Sequence, residues 1–270
     1  MVADITIDEP HAEKEAIAFW VMEHQFGVSR ADVMSGKIIE VQRKGLDDIV
    51  SRLNRHEPVQ YILGEAEFYG RKFFVNSNVL IPRPETEMMV RLLTDRFDGL
   101  KSISVLDIGT GSGCIGITVS LELPSSVVSA TDISTGALEV ARTNAAQLKA
   151  SLDFFQHDIL KDELRINRLD AVVSNPPYIL ERESITMPQN IIGFEPHTAL
   201  FVPDSDPLVF HKAIGLKAGQ VLKGGGILIT EINEKLGRET FQALENLGYK
   251  DILIVNDLHG KNRFLSAVWP

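Results

Sequence analysis

The chain is predicted to be an α/β protein: a doubly wound sheet of seven strands with an antiparallel hairpin at one edge, preceded by a smaller helical domain. Three observations carry this. After Lys101, short apolar runs alternate with longer helical stretches, the pattern of βαβ units. Within that region Val105 to Gly116 runs from an apolar strand through a glycine-rich turn into a helix. Before about residue 75 there is no such alternation.

Residues 8–56 read as helical. Ala16, Phe19, Trp20 and Phe26 recur at roughly helical spacing and Gly27 follows as a stop. A second helix is predicted over 37–55, with Ile38, Ile39, Val41, Leu46, Ile49, Val50 and Leu53 broadly on one side. From Phe68 to Val75 the pattern becomes that of a hairpin turning near Gly70. Ile81-Pro82-Arg83-Pro84 is a stiff connector, since each proline also restricts its predecessor. The domains are therefore expected to be 1–75, with the hairpin linker reaching about 100, and 101–270. Strands are predicted at 103–108, 127–132, 152–156, 169–174, 226–232, 250–255 and 262–268. Helices are predicted at 113–122, 134–149, 206–222 and 234–247.

Composition narrows the function. Apolar residues make up 44% and charged residues 24% of 270, as in ordinary globular proteins. No secretory leader or membrane span is expected, because neither a basic start with an apolar core nor a run of about 18 apolar residues is present. Cys114 is the only cysteine, so an intrachain disulfide and a thiolate zinc cluster are excluded, and a reducing, cytoplasmic setting fits. The net charge of −10, with 37 acids against 27 bases, opposes a nucleic-acid partner, since phosphate grip relies on Lys and Arg.

The turn Asp107-Ile108-Gly109-Thr110-Gly111-Ser112-Gly113 has the glycines that let backbone approach a ligand. Asp132 follows at the end of the next strand, where an acid can bind both hydroxyls of a ribose. Gly111 to Gly116 also satisfies the dinucleotide fingerprint. Asp107 favours the other reading: its carboxylate, facing the ligand's head, suits the ammonium of S-adenosylmethionine and would repel a pyrophosphate. Asp158 is placed to meet an adenine amine or to cap a turn, with Ile159 as an apolar ring contact.

Asn175-Pro176-Pro177-Tyr178 follows the strand Ala171-Val172-Val173-Ser174, at the end of such sheets where ligands bind. An amide or aromatic amine is a weak nucleophile, because its lone pair is delocalised. Two acceptors, the Asn175 oxygen and the Pro176 carbonyl, would hold its NH2 and aim the lone pair at the donor's methyl. The prolines stiffen the loop and Tyr178 offers a flat face for a planar group. The transfer is an in-line displacement needing positioning rather than a metal. His56, His197, His211 and His259 are expected to be structural, surface or capping residues.

With these residues the chain resembles the HemK/PrmC family of protein-glutamine N5-methyltransferases. The resemblance covers nearly all of the chain after about residue 50. It includes His56-Glu57-Pro58-Val59-Gln60-Tyr61-Ile62-Leu63-Gly64, Leu80-Ile81-Pro82-Arg83-Pro84-Glu85-Thr86-Glu87, the glycine turn, Asn175 to Tyr178, Phe194-Glu195-Pro196, and Asp257-Leu258 with Gly260 and Arg263. It implies a Rossmann-like class I methyltransferase domain and a helical domain that contacts the partner. By resemblance, Gly109 to Gly113, Asp132 and Asn175 touch S-adenosylmethionine, leaving S-adenosylhomocysteine as product, and Asn175 to Tyr178 hold a glutamine. The implied substrate is the Gly-Gly-Gln loop of peptide-chain release factors, without nucleic acid or membrane as partner. The open alternatives are an adenine-N6 or guanine-N2 nucleic-acid methyltransferase and a glutamine methyltransferase of a ribosomal protein. After Glu231 the chain departs from the family's glycine, reading Ile232-Asn233-Glu234.

Overall fold

A computed structural model describes residues 1–36, 43–99, 102–166 and 168–270. The described N-terminal part holds four α-helices: α1 (His11–Phe26), α2 (Arg30–Met34), α3 (Arg43–Leu53) and α4 (Val59–Leu63). Gly27 ends α1 with φ 65°, its N–H bonding back to Glu23 and Met22 carbonyls, a left-handed cap that glycine adopts without strain. Ser29 and Asp32 then start α2 with a reciprocal capping box. The predicted helix over 37–55 lies partly outside the described residues; its described part is α3. There Ile49 and Leu53 pack with Ala18, Val21 and Ile62 in a small core of their own.

Strands β1 (Glu65–Phe68) and β2 (Arg71–Phe74) form the predicted antiparallel hairpin. Tyr69 and Gly70 both have positive φ, 53° and 67°, the twist that suits a two-residue hairpin turn. Phe68 and Phe73 are fully buried in the same cluster as Met89, Val105 and Ile117, so the hairpin packs into the larger core. The stretch read only as linker contains a helix, α5 (Glu87–Phe97), with Met89, Val90 and Leu93 buried. Its eleven residues follow the two prolines after a single 3-10 turn at Pro84–Thr86, and a signal so short is masked by the connector.

Beyond it come β3 (Ser104–Ile108), α6 (Cys114–Glu122), β4 (Val127–Asp132), α7 (Thr135–Leu148), β5 (Asp153–Gln156) and β6 (Leu169–Ser174). The two-residue strands β7 (Ile179–Leu180) and β8 (Phe201–Val202) pair with each other, flanking the short α8 (Gln189–Ile192). Last are α9 (Val209–Val221), β9 (Leu222–Glu231), α10 (Gly237–Asn246), β10 (Lys250–Asn256) and β11 (Asn262–Val268). The seven-stranded sheet has the order β10-β11-β9-β6-β3-β4-β5, with β11 antiparallel to both its neighbours. This is the predicted sheet and the predicted hairpin edge.

Strand alternation sorts the core into two layers. Val105, Val173 and Ile229 face one cluster, with α5 and α6 over it. Leu106, Val172 and Leu228 face the other, with α9 and α10 over it. The chain runs β3 to β5 in one direction and then returns to β6 beside β3. That reversal opens a crevice at the strands' C-terminal ends. Among the described residues no helix is long and apolar enough to cross a membrane.

Candidate active site

Two strand ends frame the crevice, and Ser174 ties them together, its Oγ donating to the Ile108 carbonyl at 2.7 Å. Past Ile108 the glycine turn is pinned to β4, because Gly109 and Thr110 N–H both donate to the Thr131 carbonyl, at 2.8 and 2.9 Å. Gly109, Gly111 and Gly113 have φ of 72°, 55° and 83°. A Cβ on Gly109 or Gly111 would meet no atom within 4 Å, so that side of the turn is open. A Cβ on Gly113 would lie 2.7 Å from Ile117 Cδ1 and 3.2 Å from Ala141 Cβ; this glycine serves helix packing.

Asp132 braces the same turn: Oδ2 accepts from Gly111 N–H and Oδ1 from Ser134 N–H, both at 2.9 Å. Burial raises its carboxyl above the usual range. The next residue, Ile133, is 53% exposed beside it, an apolar surface that the sequence reading passed over; its signal was an apolar residue directly after the acid. Asn144 of α7 was also missed. Its amide bonds Phe74 N–H and carbonyl at 2.6 and 2.9 Å and the Ser112 carbonyl at 2.8 Å, joining hairpin to glycine turn. No local pattern marks such a bridge.

Asp107 differs from the expected carboxylate facing a ligand: it is 0% exposed. Oδ2 accepts from Thr110 Oγ1 at 2.7 Å and Gly116 N–H at 3.0 Å, bracing the turn from behind. Oδ1 is buried and has no hydrogen-bond partner. Burial, only partly offset by those two bonds, pushes the carboxyl up to about 6. Thr110 and Ser112 are likewise buried. Asp158 sits in the turn after β5 with both oxygens engaged, by Leu160 N–H at 3.0 Å and Lys161 Nζ at 2.9 Å. Ile159 packs beside Leu106 and Ile108.

At the other side, Asn175 Nδ2 makes a long contact of 3.4 Å to Thr86 Oγ1. Thr86 Oγ1 donates to Glu231 Oε2 at 2.7 Å, and the Tyr178 hydroxyl donates to Glu231 Oε1 at 2.8 Å. Glu231, the last residue of β9, is 1% exposed, and burial raises its carboxyl. Tyr178 is therefore anchored through its hydroxyl. Asn233 donates to the Tyr178 carbonyl at 3.1 Å, so the departure at Ile232-Asn233-Glu234 supplies a clamp on the Asn-Pro-Pro-Tyr segment. Among the described residues no hydrogen bond is made to the Pro176 carbonyl.

The linker's ion pair is Arg83–Glu195. Arg83 Nη2 lies 2.7 and 2.9 Å from the two carboxylate oxygens, and Ile81 N–H adds a 3.4 Å contact. His211 departs from the surface role expected of it: it is buried, Nε2 against the Glu231 carbonyl at 2.9 Å. Packing of α9 on the sheet encloses it. His197 caps the Ile192 carbonyl at 2.9 Å. Burial pushes the Cys114 thiol up to about 12, so it holds its proton at neutral pH. Among the described residues no cluster of three or more His, Cys, Asp or Glu could hold a metal.

Comparison with known proteins bears on the family and the fold. The model of the Methyltransferase small domain matches residues 83–194, and that of the PrmC N-terminal domain matches residues 5–64. A Release factor glutamine methyltransferase of Bacteroides thetaiotaomicron is 40% identical over 262 residues, 96% of this chain and 94% of that protein. One from Staphylococcus aureus is 37% identical over 258 residues, 93% of this chain and 91% of that protein. Among solved structures, a methyltransferase from Pyrococcus furiosus superposes with a TM-score of 0.54 at 16% identity. It covers 74% of this chain and 90% of its own, which speaks to the fold alone. With such identity along nearly its whole length, the chain belongs to the family of release factor glutamine methyltransferases.

Proposed function

We infer that the protein transfers a methyl group from S-adenosylmethionine to the side-chain amide nitrogen (N5) of the glutamine in the Gly-Gly-Gln loop of peptide-chain release factors. The observation that carries the substrate is the 40% identity over 96% of the chain to a protein of that name. When bound, the donor would supply an electrophilic sulfonium methyl; the amide nitrogen forms the new N–C bond as the S–C bond breaks, S-adenosylhomocysteine leaves, and the nitrogen gives up one of its two protons to water. The open faces of Gly109 and Gly111 leave room for the donor against bare backbone. Asp132 accepts from the ribose, with Ile133 as an apolar neighbour for the adenine; Asp158 and Ile159 lie on that same side after β5. Asp107 adds negative charge behind the turn for the donor's ammonium, its buried Oδ1 being bonded to no protein group among the described residues. Asn175, with its NH2 turned to Thr86, offers its oxygen to the glutamine NH2 alongside the Pro176 carbonyl. Tyr178 stacks on the planar amide.

Residues 1–75 carry partner recognition in this reading and 101–270 carry the chemistry. A net charge of −10 favours a protein partner over a polyanion, and a partner in translation fits a reaction in the cytoplasm. The direct test is transfer of labelled methyl to a purified release factor, with a variant of that factor whose loop glutamine is alanine. Wild-type factor is expected to be labelled and the variant not; label appearing on duplex DNA instead would overturn the reading. Asn175→Ala is expected to lose roughly 10²–10³ in single-turnover rate, the scale of removing one aimed hydrogen-bonding group from a transition state. Near-normal turnover would remove Asn175 from the mechanism.

A further inference from the structure

We propose that Thr86 and Glu231 are positioning residues for the transfer step: together they decide which end of the Asn175 side-chain amide faces the substrate. The proposal rests on the reading that the Asn175 oxygen accepts from the glutamine NH2. An asparagine amide has an acceptor end and a donor end of nearly equal size. If the NH2 end faced the glutamine, two donors would oppose each other and the nucleophile would not be held.

The direction of the hydrogen bonds removes that ambiguity. Glu231 as a carboxylate only accepts, and it takes the Tyr178 hydroxyl on Oε1 and the Thr86 hydroxyl on Oε2, at 2.8 and 2.7 Å. Thr86 has a single hydroxyl proton, and Glu231 holds it. Thr86 Oγ1 then presents only lone pairs to Asn175, and the contact at 3.4 Å is made by Asn175 Nδ2. Turning the amide over would set two oxygens against each other in a place where Thr86 is buried and Glu231 is 1% exposed. The flip would exchange a hydrogen bond for the repulsion of two lone pairs, with the Thr86 proton still held by Glu231. The 3.4 Å contact is long, as contacts in a site without substrate commonly are.

Arg263 supports the charged form of Glu231. Asp257 holds its guanidinium at 3.1 and 3.2 Å, and its positive charge opposes the effect of burial on the Glu231 carboxyl. The parts come from distant segments: Thr86 follows the linker that Arg83–Glu195 docks, and Glu231 closes β9. Neither belongs to the glycine turn or to the Asn-Pro-Pro-Tyr segment.

Thr86→Val keeps the shape and removes the hydroxyl, Thr86→Ser restores it, and Glu231→Gln puts a donor where only acceptors stand. Each full-length variant is measured for single-turnover transfer to release factor at saturating donor, donor affinity by calorimetry, and melting temperature. Thr86→Val and Glu231→Gln are expected to slow transfer roughly 10- to 100-fold, the scale of a misaligned reacting group. Donor affinity should stay at the wild-type value, and Thr86→Ser should recover most of the rate. A role in folding alone would lower the melting temperature and spare the rate of the molecules that remain folded. Wild-type rate in Thr86→Val, or Thr86→Ser as slow as Thr86→Val, would overturn the proposal. If Glu231→Gln does not fold, the two Thr86 variants decide it. A wild-type protein that leaves the glutamine unmodified sinks the substrate reading and this inference together; an active wild type with unaffected variants sinks this inference alone.

Discussion

Asp107 and Asp132 stand on neighbouring strands and brace one turn from two sides, Asp107 through Thr110 and Gly116, Asp132 through Gly111. Burial holds the Asp107 carboxyl at about 6, within reach of ordinary pH. A cationic donor favours its ionised form, so donor affinity is expected to fall as pH drops through about 6, by at most about tenfold per unit for one linked proton. Calorimetry between acid and neutral pH would show this, and Asp107→Asn should flatten the profile; a flat wild-type profile would detach Asp107 from donor binding. In the donor-free protein the sign reverses. The folded value lies above the ordinary 3.8, so the group's contribution to stability is complete below 3.8 and lost as pH rises through about 6. The glycines of the turn separate similarly. Gly111→Ala incurs a left-handed backbone cost of about 1–2 kcal/mol and fills the open side, so donor binding should suffer more than stability. Gly113→Ala adds overpacking against Ala141, for a further ~1–3 kcal/mol. Thermal melts with and without donor distinguish the two; equal loss of donor binding and stability in Gly111→Ala would mean that its open face is not ligand space.

Between residues and molecule, the linker is the element that the site depends on most. The Glu195 side chain is 2% exposed in its pair with Arg83, and the segment they fix runs directly on to Thr86 and α5. Arg83→Met would leave that carboxylate buried without its cation, a loss of about 3 kcal/mol, at the low end for broken buried pairs because Arg83 itself is partly exposed. Urea unfolding should show it, and Arg83→Met with Glu195→Leu should recover much of the loss, since no orphan charge remains. A single variant as stable as wild type would mean that the pair is screened by solvent. The sequence marked this stretch as stiff but not as docked: two prolines are a local signal, whereas a partner 112 residues away is not.

At the scale of the whole molecule, the hairpin shows where the two parts meet. Phe68 and Phe73 are buried with Met89, Val105 and Ile117, and Asn144 clasps Phe74. Removing residues 1–57 is expected to abolish methylation of release factor while donor binding persists. Removing 1–75 should also lose the fold and donor binding, because it strips two buried aromatic rings from the sheet's core, each worth about 3–5 kcal/mol when deleted. Donor calorimetry on both truncations checks this; release factor methylated normally without residues 1–57 would refute the partner-binding role of the helical part.

By itself the sequence determined the seven-stranded sheet with its antiparallel edge, the hairpin turn at Gly70, the glycine turn between β3 and α6, and the places of Asp132 and Asn175 at strand ends. These are consequences of short-range rules: period-two burial, glycine where φ must be positive, and the pairing of a strand's end with the turn that follows it. Only the tertiary structure decided that Arg83 meets Glu195, that Thr86 and Tyr178 converge on Glu231, that Asn144 joins hairpin to turn, and that His211 and Asp107 are enclosed. Apart from the Asp107–Thr110 bond, between residues three apart, the partners at these residues lie 9 to 145 residues away. Such pairings come from how the helices and linker close over the sheet, and no local pattern in the chain encodes them.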